Sequence, residues 1–232
     1  MLHRLDSANG PSRTTSMSNG VKQAELLHRI RVFARPRYRA NWIRGRSRAD
    51  GFVWYTRGTN FSMTHEDWLR SLVSPFKGDL FVDVGAHVGT WAVRATRTFR
   101  RVVAIEPHPV FNRILRTTVA MNGLHNISVV SAILSNESGE AHVSTTNSIP
   151  IRTLDSFELE PTLIKIDTEG SEFSVLQGAT RTLRGKPMIV VETHSPEALV
   201  KSRMLVENQG YAIREVKLEN RFGQIQSWLL CN

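Results

Sequence analysis

The 232 residues are enough for one domain with an appendage, and a 41% hydrophobic content supplies an ordinary soluble core. No run approaches the ~18 apolar residues of a membrane span, no apolar stretch marks a secretory signal, and the single cysteine, Cys231, excludes internal disulfides and thiolate metal clusters, which suits a reducing cytoplasm. The net charge of +9 is unevenly placed: residues 1–50 hold eleven Lys/Arg against three acids, a net of +8, and residues 51–232 carry only +1.

Residues 1–20, rich in Ser, Thr, Asn and Gly, read as a disordered tail. A basic arm follows over 21–50. Within it Leu26, Leu27, Ile30 and Phe33 recur at helical spacing and predict a helix to about Ala34, which Pro36 ends. Residues 28–48 hold eight arginines interleaved with Phe33, Tyr38 and Trp42, an arrangement able to contact an anionic surface or phosphates. Over 51–77, "FVWYT" and "TNFSM", split by Arg57-Gly58, predict a hairpin, and Thr64 with Asp67 caps a short helix.

From Gly78 to the end, apolar strands alternate with amphipathic helices. The strands are "LFVDVGA", "RVVAIEP", "ISVVSAI", "EAHVST", "LIKID", "MIVVETH", "YAIREVKL" and "QSWLLCN". Helices are expected from about Thr90 to Phe99, over 109–122, over 171–183 and over 196–208. This pattern predicts a doubly wound α/β domain over 78–232 whose sheet is mostly parallel, with an antiparallel final strand pair.

In such sheets ligands bind beyond the carboxyl ends of the strands. The first of these strands ends in Asp83-Val-Gly85-Ala-His87-Val-Gly89, and the second ends in Glu106, 23 residues after Asp83. That offset places a carboxyl group where the ribose hydroxyls of a nucleotide would lie. The glycines are spaced G-x-x-x-G, not G-x-G-x-x-G, so the loop suits a ligand without a pyrophosphate. S-adenosylmethionine is such a ligand, and Asp83 could face its cationic end.

The blocks "FVDVGAHVG", "AIEPHP", "TLDSF", "LIKIDTEGSEFSVLQGA" and "VVETH", in this order over about residues 78–194, resemble the FkbM family of S-adenosylmethionine-dependent methyltransferases. The resemblance implies a class I methyltransferase (Rossmann-like) fold and O-methylation of hydroxyls on saccharides, glycolipids or secondary metabolites. It implies cofactor contacts at Asp83, Gly85, His87, Gly89, Glu106, Pro107, Ala132 and Asp167. Two positions depart from the family pattern: His87 replaces an asparagine of the first loop, and Thr118 replaces an asparagine of the following helix, although Asn122 one turn later matches.

The acceptor side is expected at Asp167 and Glu169, after the "LIKID" strand, and at Glu192 and His194, after the next. His194 is the first choice for a general base and Asp167 the second, because an alcohol must lose a proton when methylated. Glu172 reads as a structural acid in the first turn of a helix. The set Asp167, Glu169, Glu192 and His194 also offers oxygen and nitrogen ligands for a divalent cation, an alternative to the base reading. Two other functions compete: an RNA methyltransferase that grips phosphates with the arginine arm, and a non-catalytic nucleoside-binding module. The near-neutral charge of 51–232 argues against broad RNA contact, and the acids at the two strand ends argue against a module without chemistry.

Overall fold

Seven strands form the central sheet of the computed structural model, which describes residues 43–46, 51–56, 76–142, 148–219 and 225–232. The tail over 1–20, the helix expected over 21–34, "TNFSM" and the helix from Thr64 lie outside the described residues, as does most of the arginine arm.

The strands are β1 (Ile43–Arg46), β2 (Val53–Thr56), β3 (Gly78–Val84), β4 (Phe99–Ile105), β5 (Ile127–Val130), β6 (Ile133–Leu134), β7 (Gly139–His142), β8 (Ser148–Arg152), β9 (Leu163–Ile166), β10 (Met188–Thr193), β11 (Ile213–Glu219) and β12 (Ile225–Cys231). The helices are α1 (Ala92–Ala95), α2 (Pro109–Met121), α3 (Glu172–Gln177), α4 (Thr180–Arg184) and α5 (Pro196–Asn208). The sheet order is β11-β12-β10-β9-β3-β4-β5. β10, β9, β3, β4 and β5 run parallel, and β12 is antiparallel to both β10 and β11, as the sequence pattern predicts. The order reverses between β3 and β9, which makes their carboxyl ends the natural ligand crevice.

Strands buried on both faces are mostly apolar, and β3 and β9 are so along their buried stretches except at Asp83 and Lys165. Leu80, Val82, Val84, Ile164 and Ile166 pack on one face with Val175, Leu183 and Val206 of α3, α4 and α5. Phe81, Leu163, Val190 and Trp228 pack on the other with Val93 of α1, Leu115 of α2, and Phe52 and Trp54. At a few kcal/mol for each buried aromatic, Phe52 and Trp54 make the segment around β2 part of this core. β2 pairs antiparallel with β1, which the sequence placed in the basic arm. It is docked by Asn122, whose Oδ1 accepts from Val53 N at 2.8 Å and whose Nδ2 donates to Val53 O at 2.7 Å, and by Thr118, whose hydroxyl accepts from Tyr55 N at 3.2 Å. Thr118 and Asn122 thus serve strand docking.

Three expected elements differ. The helix expected over Thr90–Phe99 is only Ala92–Ala95, because Thr96 and Thr98 turn their hydroxyls back onto the carbonyls of Val93 and Ala95, and β4 begins at Phe99. "ISVVSAI" divides, with β5 in the main sheet and β6 in a separate three-stranded sheet ordered β6-β8-β7. The helix expected over 171–183 breaks into α3 and α4 at Gly178, where a Cβ would come within 2.1 Å of Ser135 O. Asp155 restarts it: its carboxyl oxygens accept from Arg181 N and Thr182 N, each at 2.8 Å, while its own N–H donates to Gly178 O at 2.9 Å. The "TLDSF" and "LQGA" blocks therefore form one structural latch. No helix among the described residues is long and apolar enough to cross a membrane.

Candidate functional site

Side chains alternate across a strand, so Asp83, Lys165 and Glu192 project from the same face of three adjacent strands, the face covered by α1. Asp83 is fully buried. Its Oδ2 accepts from Ala92 N at 3.0 Å, which fixes the start of α1, and its Oδ1 lies 3.7 Å from Lys165 Nζ.

The loop after β3 is shaped by close backbone approach. Gly85 has φ +78°, and a Cβ there would lie 1.8 Å from Asp167 O. Only glycine allows the β3 and β9 loops to touch in this way. His87 has φ +51°, in the left-handed region where His, like Asn and Asp, is enriched. This explains how a histidine stands where the family pattern has asparagine. Its ring meets Phe111 edge-on at 3.9 Å.

Glu106, at the end of β4, ties this loop to the next. Its Oε2 accepts from His87 N and its Oε1 from His108 N, both at 2.7 Å. Burial lifts its carboxyl to about 7 against the opposing pull of those two N–H groups. Pro107 is half-buried beside it, and Ala132 is buried in the core next to β5. Asp83, Gly85, His87, Glu106 and Asp167 are thus brought to one edge. Gly89 turns at φ +91° against Leu115 of α2.

The second half of the edge is built from side chains. Asp167 Oδ2 accepts from Lys165 Nζ at 3.0 Å, and Asp167 Oδ1 lies 3.7 Å from His194 Nε2. Glu192 Oε1 lies 3.7 Å from the same nitrogen. His194 Nδ1 is 2.8 Å from Glu172 Oε1, which also accepts from Gly170 N at 2.7 Å. Asp167, Glu192 and His194 therefore converge, whereas Glu169 stands exposed on a left-handed turn at φ +57°. Partial burial alone would lower the His194 pKa. The hydrogen bond to Glu172 and the charges of Asp167, Glu172 and Glu192 outweigh it and lift the imidazole to about 9. At neutral pH such a ring already carries its proton, so in this arrangement a carboxyl group is better placed than His194 to accept one.

Glu172 is the residue that sequence reasoning assigned to a merely structural place. It is fully buried and holds His194 across a separation of 22 residues. Its signal lay in the chain, an acid five residues past a strand-end aspartate, but a helix first turn explains an acid equally well.

A family model described as the methyltransferase FkbM domain matches residues 83–213. The hexuronic acid methyltransferase AglP of Haloferax volcanii is 32% identical over 150 residues, 56% of this chain and 62% of that protein. The chain thus spans less than two thirds of that curated relative. The methyltransferase FkbM of Methylobacillus flagellatus superposes with a TM-score of 0.57 at 24% identity, covering 70% of this chain and 46% of that one. The tRNA (uracil-54, C5)-methyltransferase of Pyrococcus abyssi, solved with S-adenosyl-L-homocysteine, superposes with a TM-score of 0.54 at 16% identity, covering 82% of this chain and 44% of that one. At these identities the structural likenesses show the fold, which is that of the class I methyltransferases.

Proposed function

The chain belongs to the FkbM methyltransferase family, and from that premise we propose that it methylates a hydroxyl of a saccharide, glycolipid or secondary metabolite, with S-adenosylmethionine as donor. One observation carries the reading: the Gly85 loop touches Asp167, so the loop expected to hold the nucleoside and a carboxyl–imidazole cluster adjoin at the switch in strand order. The relative's hexuronic acid makes a sugar acid the first acceptor to try.

The loop residues fit this donor. Residues 83–91 hold no Lys or Arg to meet phosphates, and both flanking strands carry a buried acid, Asp83 and Glu106. S-adenosylmethionine, when bound, supplies a methyl group whose transfer to oxygen breaks a carbon–sulfur bond and leaves the electron pair on a neutral thioether. Glu106, fixed by the His87 and His108 N–H groups, keeps lone pairs for the ribose hydroxyls. Asp83, through α1, and Gly85 set the loop that shapes the pocket. Asp167, Glu192 and His194 orient the acceptor hydroxyl, and its proton passes to a carboxyl group of that cluster as the oxygen takes the methyl. Holding the two reactants in line is the larger part of the task.

Labelled methyl transfer onto a panel of uronic-acid glycans, neutral glycans, lipids and RNA tests the reading. Label on a saccharide in an alkali-stable ether is the expected result. Label on RNA alone would overturn it, and an alkali-labile ester would move the acceptor from the hydroxyl to the carboxyl of a sugar acid.

A further inference from the structure

We propose that Asp167, Glu192 and His194 form a site for one divalent transition-metal ion at the carboxyl ends of β9 and β10. Nδ1 of His194 is engaged by Glu172, and the opposite nitrogen, Nε2, which gives up its proton when it ligates an ion, lies 3.7 Å from Asp167 Oδ1 and 3.7 Å from Glu192 Oε1. These separations are too long for hydrogen bonds. They suit ligands that share a centre, because two atoms each ~2.1 Å from an ion lie roughly 3.0–3.6 Å apart at bond angles of about 90–120°. One ligand atom from each side chain falls within 4.8 Å of the other two, so a small inward shift closes the site.

The neighbouring groups match those of a metal centre. A metal-bound imidazole almost always donates its second N–H to a carboxylate, a carbonyl or water, which fixes ring and tautomer. Glu172 accepts it from full burial, and its Oε2 has no hydrogen-bond partner among the described residues. A buried carboxyl group with an oxygen unmet is costly unless positive charge lies near, and an ion on the far side of the imidazole provides it. Lys165 has the matching place for Asp167, binding Oδ2 and leaving Oδ1 toward His194. Two oxygens and an imidazole nitrogen suit Mn²⁺, Fe²⁺ or Zn²⁺ better than Mg²⁺, which keeps to oxygen ligands. Three protein ligands leave positions open. That adjacent oxygens of an acceptor fill them rests on the function proposed above; the ion site itself rests on the geometry alone.

Titrating the untagged full chain with MnCl₂, followed by loss of the free Mn²⁺ EPR signal, tests the site with neither donor nor acceptor present. One equivalent should bind. Asp167→Asn and His194→Gln should each weaken binding by tenfold or more, and Glu172→Gln by about 10–100-fold, as for outer partners of a metal ligand. The surface variant Glu207→Gln should bind as the parent does. S-adenosylhomocysteine affinity within about threefold of the parent, ~0.7 kcal/mol, certifies that a variant is folded, and Glu192→Gln replaces any variant that fails this check. Absence of stoichiometric binding, or binding unchanged in both ligand variants, overturns the proposal. Ion binding without methylation of any saccharide would sink the function and leave the site standing. Methylation by a chain that binds no ion would do the reverse.

Discussion

The two halves of the strand-end edge are built by different means. At the ends of β3 and β4 the chain relies on backbone: a glycine pressed against a carbonyl, a histidine in the left-handed region, and two N–H groups that grip Glu106. At the ends of β9 and β10 it relies on side chains, with Asp167, Glu192 and His194 arranged by Lys165 and Glu172. A backbone cradle would suit a ligand of constant shape, such as the donor proposed above. A side-chain cluster can be retuned without disturbing the sheet, which would suit a variable acceptor. The expected division is that the first half governs cofactor affinity and the second governs turnover.

The sharpest break of that comparison lies in the second half. Asp167→Asn or His194→Gln should lower kcat by roughly 10²–10⁴, the contribution of a positioned acid or base, while S-adenosylhomocysteine affinity by calorimetry stays within about threefold. Full turnover in both variants would make the cluster structural. Next in size, Gly85→Ala should cost roughly 3 kcal/mol or more in thermal or denaturant unfolding, because a Cβ 1.8 Å from Asp167 O forces two loops apart. Unaltered stability would mean that the loops do not touch in solution.

Glu106→Gln should weaken cofactor binding by about 1.5–3 kcal/mol, the range for a charged hydrogen bond lost. The pH dependence has a definite sign. Burial raises the Glu106 carboxyl from 4.5 to about 7 in the fold, so the unfolded chain releases this proton first. The cofactor-free fold therefore loses stability as pH rises from about 4.5 to 7, by up to roughly 3 kcal/mol from this group. On the function proposed above, ribose hydroxyls that donate to the ionised form would offset that loss. Thermal stabilisation by S-adenosylhomocysteine should consequently be larger at pH 8 than at pH 6, and Glu106→Gln should flatten the difference; a parent protein with equal shifts at both pH values would remove Glu106 from the pocket.

The smallest effect is expected from the arm. Deleting residues 1–50 retains Phe52 and Trp54 and should leave cofactor affinity unchanged. Saccharide affinity should depend only weakly on salt, whereas a steep salt slope would point to phosphate contacts and RNA.

Legibility in the sequence followed the range of the interaction. β3 and β9 could be read because burial on both faces demands mostly apolar runs, and Leu80–Val84 and Leu163–Ile166 are apolar but for Asp83 and Lys165. The strand-end places of Asp83, Glu106 and Asp167 could be read because each acid closes an apolar run. The short α1 could not, since threonines at 96 and 98 are tolerated in many helices. Nor could the break at Gly178, which depends on Ser135 more than forty residues earlier. β1 reads as a polar arginine-rich stretch, and its pairing with β2 is visible only in three dimensions. Glu172 was hidden for the same reason: its partner His194 arrives from another strand.

The grip of Asn122 on Val53 has a consequence for synthesis. The two are separated by 69 residues, so the strand made early in the chain has no docking partner until Asn122 has been translated. At about 5–20 residues per second that interval is roughly 3–14 s. Through it Phe52 and Trp54, two buried rings of the finished core, are apolar surface on a nascent chain. The eight arginines immediately upstream, over 28–48, give that growing segment a strong positive charge, so neighbouring nascent chains should repel one another while that surface waits for the helix to cover it.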